Sequence, residues 1–280
     1  MMSADAPKAN IPQGFPAPAA EPSGGNPFQD SSLWSWNDLA LFLAFTALAF
    51  LASNFLVAVG YAGFRSLAGA HNAPASVPEN PFLPITLQLL FYGMIFAIVY
   101  LLVVTYHHRP FWSSLNWRRP TARQVIGYML GGLMMAIGVQ LAPTILPDQQ
   151  NFPLERMFSS PLAAYAVAIF AVLIAPFMEE LIFRGVLFAV FERRIGLRFA
   201  VATTTILFAA LHVPEYRGAW NHVLLICLVS GIFSLARGLT GSLAPSVILH
   251  FAYNLSLMAA LYFGTQHFRA LQATIAAILF

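Results

Sequence analysis

Two adjacent carboxylates and an arginine, in Glu179-Glu180-Leu181-Ile182-Phe183-Arg184, stand inside one of the most apolar stretches of the chain. No charged residue occurs from Pro161 to Met178, and none from Gly185 to Phe191. A charge at mid-bilayer depth costs about 2.5–3.5 kcal/mol on insertion scales, so such residues mark functional sites or buried ion networks between helices. On a helix, Glu180 and Arg184 are spaced i, i+4 and share a face, where they can pair. Glu179 is turned about 100° away from Glu180. The economical reading is that Arg184 holds Glu180 and leaves Glu179 to act on something else.

Other polar residues belong to the same depth. His212 ends the apolar run Phe208-Ala209-Ala210-Leu211-His212, and His250 and Asn254 are spaced i, i+4 within a later one. At 1.5 Å per residue, Glu180 lies roughly 21 Å from Arg194, and His212 lies roughly 21 Å from Arg198. His250 and Asn254 lie roughly 13 and 20 Å past Gly241. Each could be an ordinary interhelical hydrogen-bonding residue, but together they place glutamates, histidines and an amide at one level. Glutamate and histidine around a water make a hydrolytic centre, with Glu179 as general base and His212 orienting the proton. Asn254 and a protonated His250 would donate to the oxyanion formed when an amide is attacked. The same residues offer a second arrangement, in which His212, His250 and Glu179 bind a metal such as Zn2+. No His-Glu-x-x-His and no Gly-x-Ser-x-Gly occurs, so neither a zinc helix nor that kind of serine nucleophile has support.

These residues need membrane helices to position them. The 280-residue chain is 59% hydrophobic and 9% charged, and its mean hydropathy is +0.70. That composition, with runs near the ~20 residues of a membrane span, predicts an all-α polytopic transmembrane bundle. Seven spans are expected, over about 38–60, 84–105, 125–146, 161–191, 199–213, 220–236 and 242–263, with 270–280 as a partial eighth. The run 161–191 is too long for one straight span, and Pro176 is its expected kink. Gly131, Gly132 and Gly138 would permit close helix approach. Residues 1–32, rich in Pro, Ala and Gly, read as a disordered tail. Residues 33–160 read as N-terminal transmembrane helices and 161–280 as a catalytic core. Trp34 and Trp36 read as interfacial anchors, and His107-His108 as a solvated loop edge. The single cysteine, Cys227, excludes an internal disulfide and a cysteine metal cluster.

With alternating spans, Lys8, Arg109, Arg118, Arg119, Arg123, Arg193, Arg194, Arg198 and Arg237 fall on one side, and Arg65, Arg156, Arg217 and Arg269 on the other. The positive-inside rule makes the first side cytoplasmic, with the N-terminus there. The expected partners are the lipid bilayer and a membrane-associated peptide, not nucleic acid, and the expected location is the inner (plasma) membrane of a bacterium.

Glu-Glu-x-x-x-Arg at Glu179–Arg184, Phe-x-x-x-His at Phe208–His212 and His-x-x-x-Asn at His250–Asn254, in that order, resemble the motifs of the CPBP intramembrane proteases. That family includes the type II CAAX prenyl endopeptidases and bacteriocin-processing or immunity relatives. The resemblance spans about 161–263. It implies an endopeptidase with its site enclosed in the membrane. Glu179 and His212 would activate water, His250 and Asn254 would bind the oxyanion, and Glu180, Arg184 and Phe208 would support them. Both a metalloprotease and a metal-free glutamate mechanism are attributed to the family. Two other classes fit the same residues: a non-catalytic immunity or scaffold protein, and a proton-coupled transporter using the Glu and His groups as a relay. Transporters often carry paired repeats, and no internal repeat is found.

Overall fold

A computed structural model describes residues 34–67, 82–142, 160–216 and 219–269. The expected N-terminal tail, the loops containing Glu79 and Asp148–Arg156, and the segment 270–280 lie outside the described residues. Among the described residues eight helices follow in order: α1 (Trp36–Leu67), α2 (82–106), α3 (Phe111–Ser114), α4 (Ala122–Leu141), α5 (161–195), α6 (Leu197–His212), α7 (Trp220–Thr240) and α8 (Ala244–Gly264). No strand occurs among the described residues. The chain is an all-α polytopic bundle. Among the described residues, six helices are long and apolar enough to cross a membrane. The exception among the seven expected spans is α6, which is apolar but has only 16 residues. It rises about 24 Å, so its end carries His212.

Local sequence sets the helix ends. Thr121 and Gln124 form a capping box at the start of α4, each satisfying the other's backbone N–H. Ser160 caps α5, and Pro161 occupies its first turn, where its missing N–H costs nothing. Gly196, at φ +91°, separates α5 from α6 in a conformation that a side chain would resist. Gly132 brings α4 against α8: a Cβ there would meet Ala252 Cβ and Leu249 O at 2.6 Å. Gly131 also faces Leu249, but the space around Gly138 is open, so only the first two of the three expected contact glycines serve that packing.

α5 is not a uniform helix. It contains two π-turns, Phe170–Ile174 and Leu181–Leu187, on either side of Ala175–Glu180. A π-turn shifts a backbone N–H from its i−4 to its i−5 carbonyl and leaves the i−4 carbonyl short of a donor. After the first turn, Ala175 N–H bonds Phe170 O. Ala171 O then loses that donor, and Pro176 has none to give. After the second, Phe188 N–H bonds Phe183 O, so Arg184 O loses its i+4 donor. Other helices fill both gaps: Asn254 Nδ2 donates to Ala171 O at 2.7 Å, and Arg237 Nε donates to Arg184 O at 3.1 Å. In hydrocarbon such repair is required, because no water competes for the carbonyl. The end of α2 is also a π-turn, and there Arg109 N bonds Val103 O at 3.0 Å.

Three residues sit differently from expectation. Arg237 is 1% exposed and not a loop cation. The reason is that α7 runs on to Thr240, four residues past the expected end, and turns Arg237 onto α5. Trp34 is buried and directs Nε1 toward Ser114 O, so only Trp36 remains exposed. His107 is not a solvated loop residue, because its Nε2 meets Asp38 Oδ1 at 2.7 Å. That partner begins α1 and is distant in sequence.

Candidate active site

The site is built outward from Arg184, whose side chain is 0% exposed. Its Nη1 donates to Glu180 Oε1 at 2.9 Å, as the i, i+4 spacing predicts. Its Nη2 donates to Ser230 O at 2.8 Å and Ser230 Oγ at 2.6 Å, and its Nε donates to Ser234 Oγ at 3.3 Å. Thr204 Oγ1 lies 3.1 Å from Ser234 Oγ, which ties α6 into the same network. The rings of Phe183, Phe208 and Phe233 surround the guanidinium, and Phe208 is nearest, at 4.9 Å from Cζ. A buried ion pair gains only when further hydrogen bonds satisfy its remaining groups, and α7 supplies those of the guanidinium.

Glu180 in turn orients His250. Nδ1 of His250 lies 2.9 Å from Glu180 Oε1. A carboxylate oxygen only accepts, so Nδ1 carries the proton and Nε2 faces the other way. That second nitrogen lies 3.7 Å from Glu179 Oε2. Such a distance exceeds a direct hydrogen bond. Phe233 stacks on the His250 ring at 4.7 Å and fixes its plane. The two neighbouring glutamates therefore flank one imidazole. Glu180 is fully enclosed, whereas the Glu179 side chain is 20% exposed. The other oxygen of Glu179, Oε1, accepts from Tyr92 Oη at 3.0 Å.

His212 and Asn254 complete the set in different ways. His212 Nδ1 lies 2.8 Å from Phe208 O, an acceptor only, so its proton is on Nδ1 and Nε2 is the basic nitrogen of the neutral ring. Phe208 stacks on His212 at 4.6 Å and stands edge-on to Phe183 at 5.0 Å and to His250 at 6.0 Å. One ring thus links Arg184, His212 and His250. Asn254 shares the face of His250 on α8, but it spends one amide hydrogen on Ala171 O, in the first π-turn of α5. It holds the backbone ahead of the glutamates and has a second amide hydrogen to give.

No group of three His, Cys, Asp or Glu side chains that could hold a metal occurs among the described residues. His212, His250 and Glu179 do not form such a group, and the hydrogen bonds at Nδ1 leave Nε2 as the available nitrogen of each histidine.

Sequence reasoning missed Tyr92, Ser230, Ser234, Thr204 and Phe233. The two serines were findable, since polar residues at i, i+4 in an apolar span mark a helix-contact face. Tyr92 carried no such signal. Glu215, on the turn after α6, also went unnoticed, though it is close enough to act electrostatically on Glu179 and His212.

Comparison with known proteins supports the reading of the motifs. Residues 161–256 match the family described as type II CAAX prenyl endopeptidase Rce1-like. The UPF0177 protein YbdI of Lactococcus lactis is 22% identical over 173 residues, which cover 61% of this chain and 92% of that protein. No solved structure matches the chain significantly.

Proposed function

We infer, from the Rce1-like character of residues 161–256, that this integral membrane protein is an endopeptidase. It would cleave peptide bonds of membrane-associated substrates, with prenylated CAAX-type chains the first class to test. The observation that carries the reading is the partly exposed Glu179 carboxylate facing His250 Nε2 at 3.7 Å, while the buried Glu180–Arg184 pair fixes that imidazole from behind. A water lodged against Glu179 Oε2 would give it a proton and attack the scissile carbonyl carbon. Nε2 of His212 can share that proton. Charge then gathers on the carbonyl oxygen, where a protonated His250 and the second amide hydrogen of Asn254 are the available donors. As the C–N bond breaks, Glu179 returns its proton to the leaving amine. The products are a free carboxylate and an amine. We further place residues 33–160 as supporting helices and 161–280 as the catalytic part. On the positive-inside rule the N-terminus is cytoplasmic, in a bacterial inner membrane.

The test is cleavage of a farnesylated CAAX reporter peptide by the purified protein in detergent. Wild type is expected to cleave it, and Glu179→Gln to lose about 10²–10⁴-fold in rate with unchanged helicity and melting. A chelator is expected to leave the wild-type rate intact, since no metal-holding cluster is assembled among the described residues. Full activity in Glu179→Gln would end the role given to that residue. Cleavage of an unprenylated membrane peptide alone would keep the chemistry and replace the substrate class.

A further inference from the structure

Helix α2 lies outside the stretch that matches the Rce1-like family, yet it reaches the reacting carboxylate. Tyr92 is 6% exposed, and its ring stacks on Phe170 of α5 at 5.9 Å with only 12° between planes. Phe91 packs beside it at 6.2 Å. A phenol in this setting must spend its hydroxyl hydrogen on a partner, and the partner is Glu179 Oε1 at 3.0 Å. With Oε1 held there, the carboxylate plane is fixed and Oε2 is directed at His250 Nε2. Tyr92 thereby ties a helix of the N-terminal half to Glu179. Phe170 opens the first π-turn of α5, the same turn that Asn254 supports. The stack therefore joins Tyr92 to the part of α5 that sets the position of Glu179.

We propose that Tyr92 is a positioning residue for Glu179: its hydroxyl fixes the carboxylate so that one oxygen alone is presented to the attacking water. This rests on the protease reading above. It assigns the N-terminal helices a direct part in the site. Removing the hydroxyl while keeping the ring leaves the aromatic packing intact and frees the carboxylate to rotate.

The test compares wild type, Tyr92→Phe, Glu179→Gln and the double variant. A residue that only positions Glu179 leaves substrate affinity alone, so Tyr92→Phe is expected to lower kcat by about 10- to 100-fold, the worth of a hydrogen bond to a charged group, with KM within about twofold. In the Glu179→Gln background, binding of a fluorescent reporter peptide is expected to be the same with or without the Tyr92→Phe change. A raised KM, or weaker binding in that background, would show that Tyr92 touches substrate and would overturn the positioning role. So would an unchanged kcat. A second readout needs no turnover. The infrared carboxylate band that disappears in Glu179→Gln is expected to shift in Tyr92→Phe, and an unmoved band would refute the proposal. If wild type cleaves no peptide, the protease reading fails while the band still tests the contact.

Discussion

Glu179 and Glu180 are consecutive residues on one helix, and their surroundings are opposite. The Glu180 side is closed: its carboxylate is 0% exposed, paired with Arg184 and bonded to His250 Nδ1, and serines from α7 complete the arginine's bonds. The Glu179 side is partly open: a neutral phenol holds one oxygen, and the other faces an imidazole at 3.7 Å, beyond a direct hydrogen bond. The helix rotation of about 100° between neighbours sends the two carboxylates to different fates. A buried, paired and hydrogen-bonded charge is a fixture, because any change in it is costly. A carboxylate with one oxygen free of a direct hydrogen bond can present that oxygen to a water. The difference teaches how an apolar helix can carry one charge for structure and the next for chemistry.

Substitution at each side should separate the two roles. Glu179→Gln is expected to give the largest activity loss, about 10²–10⁴-fold, with melting in detergent unchanged. Arg184→Ala should do the reverse first. Removing one partner of a buried pair leaves an uncompensated charge and costs about 3–5 kcal/mol, seen as a large drop in melting temperature before any rate is measured. If Arg184→Ala kept wild-type melting and lost only activity, the division between fixture and reagent would be wrong.

The two π-turns of α5 extend the comparison. Asn254→Ala and Arg237→Ala each strand one carbonyl, Ala171 O and Arg184 O respectively. An unsatisfied buried polar group costs about 1–3 kcal/mol, so both variants should melt earlier than wild type. Only Asn254→Ala is expected to lower kcat further than its stability loss explains, because Asn254 shares its helix face with His250. Equal rates for the two variants in matched folded fractions would leave Asn254 with its backbone role alone.

Much of this was legible in the sequence, and for a physical reason. Charges in apolar runs are expensive, so Glu180 and Arg184 announced their pairing through the helix period alone. The α6 and α8 polar groups could be levelled by helical rise, and Phe208 does bring His212 and His250 to one ring. What stayed hidden depends on long-range partners or on backbone irregularity. A tyrosine in an apolar helix looks like any other aromatic until α5 is placed beside it, and that is why Tyr92 was missed. Pro176 marked a disturbance, but two separate π-turns, and the side chains that repair them, are not written in hydropathy. Arg237 was misplaced because one further turn of α7 moves it from a loop to a buried interface.

The smallest expected effect comes from an ion pair far from both glutamates. His107 Nε2 meets Asp38 Oδ1 at 2.7 Å, and the His107 side chain is 22% exposed. Asp38 does not depend on it, since Oδ2 also accepts from Ser35 N at 2.7 Å and from Ser35 Oγ at 2.6 Å. His107→Ala therefore removes the imidazole from Oδ1 and leaves Asp38 its two donors on Oδ2. A partly exposed pair is worth about 0.2–1 kcal/mol, so melting should shift slightly and peptide cleavage not at all. Set beside Arg184→Ala, this variant tests what makes the Glu180 pair different. Both break a contact between a cation-forming side chain and a carboxylate, but only Arg184→Ala takes a permanent cation from a carboxylate with no exposure, leaving it the imidazole N–H of His250. Equal losses from the two would mean that pairing, and not burial, sets the cost.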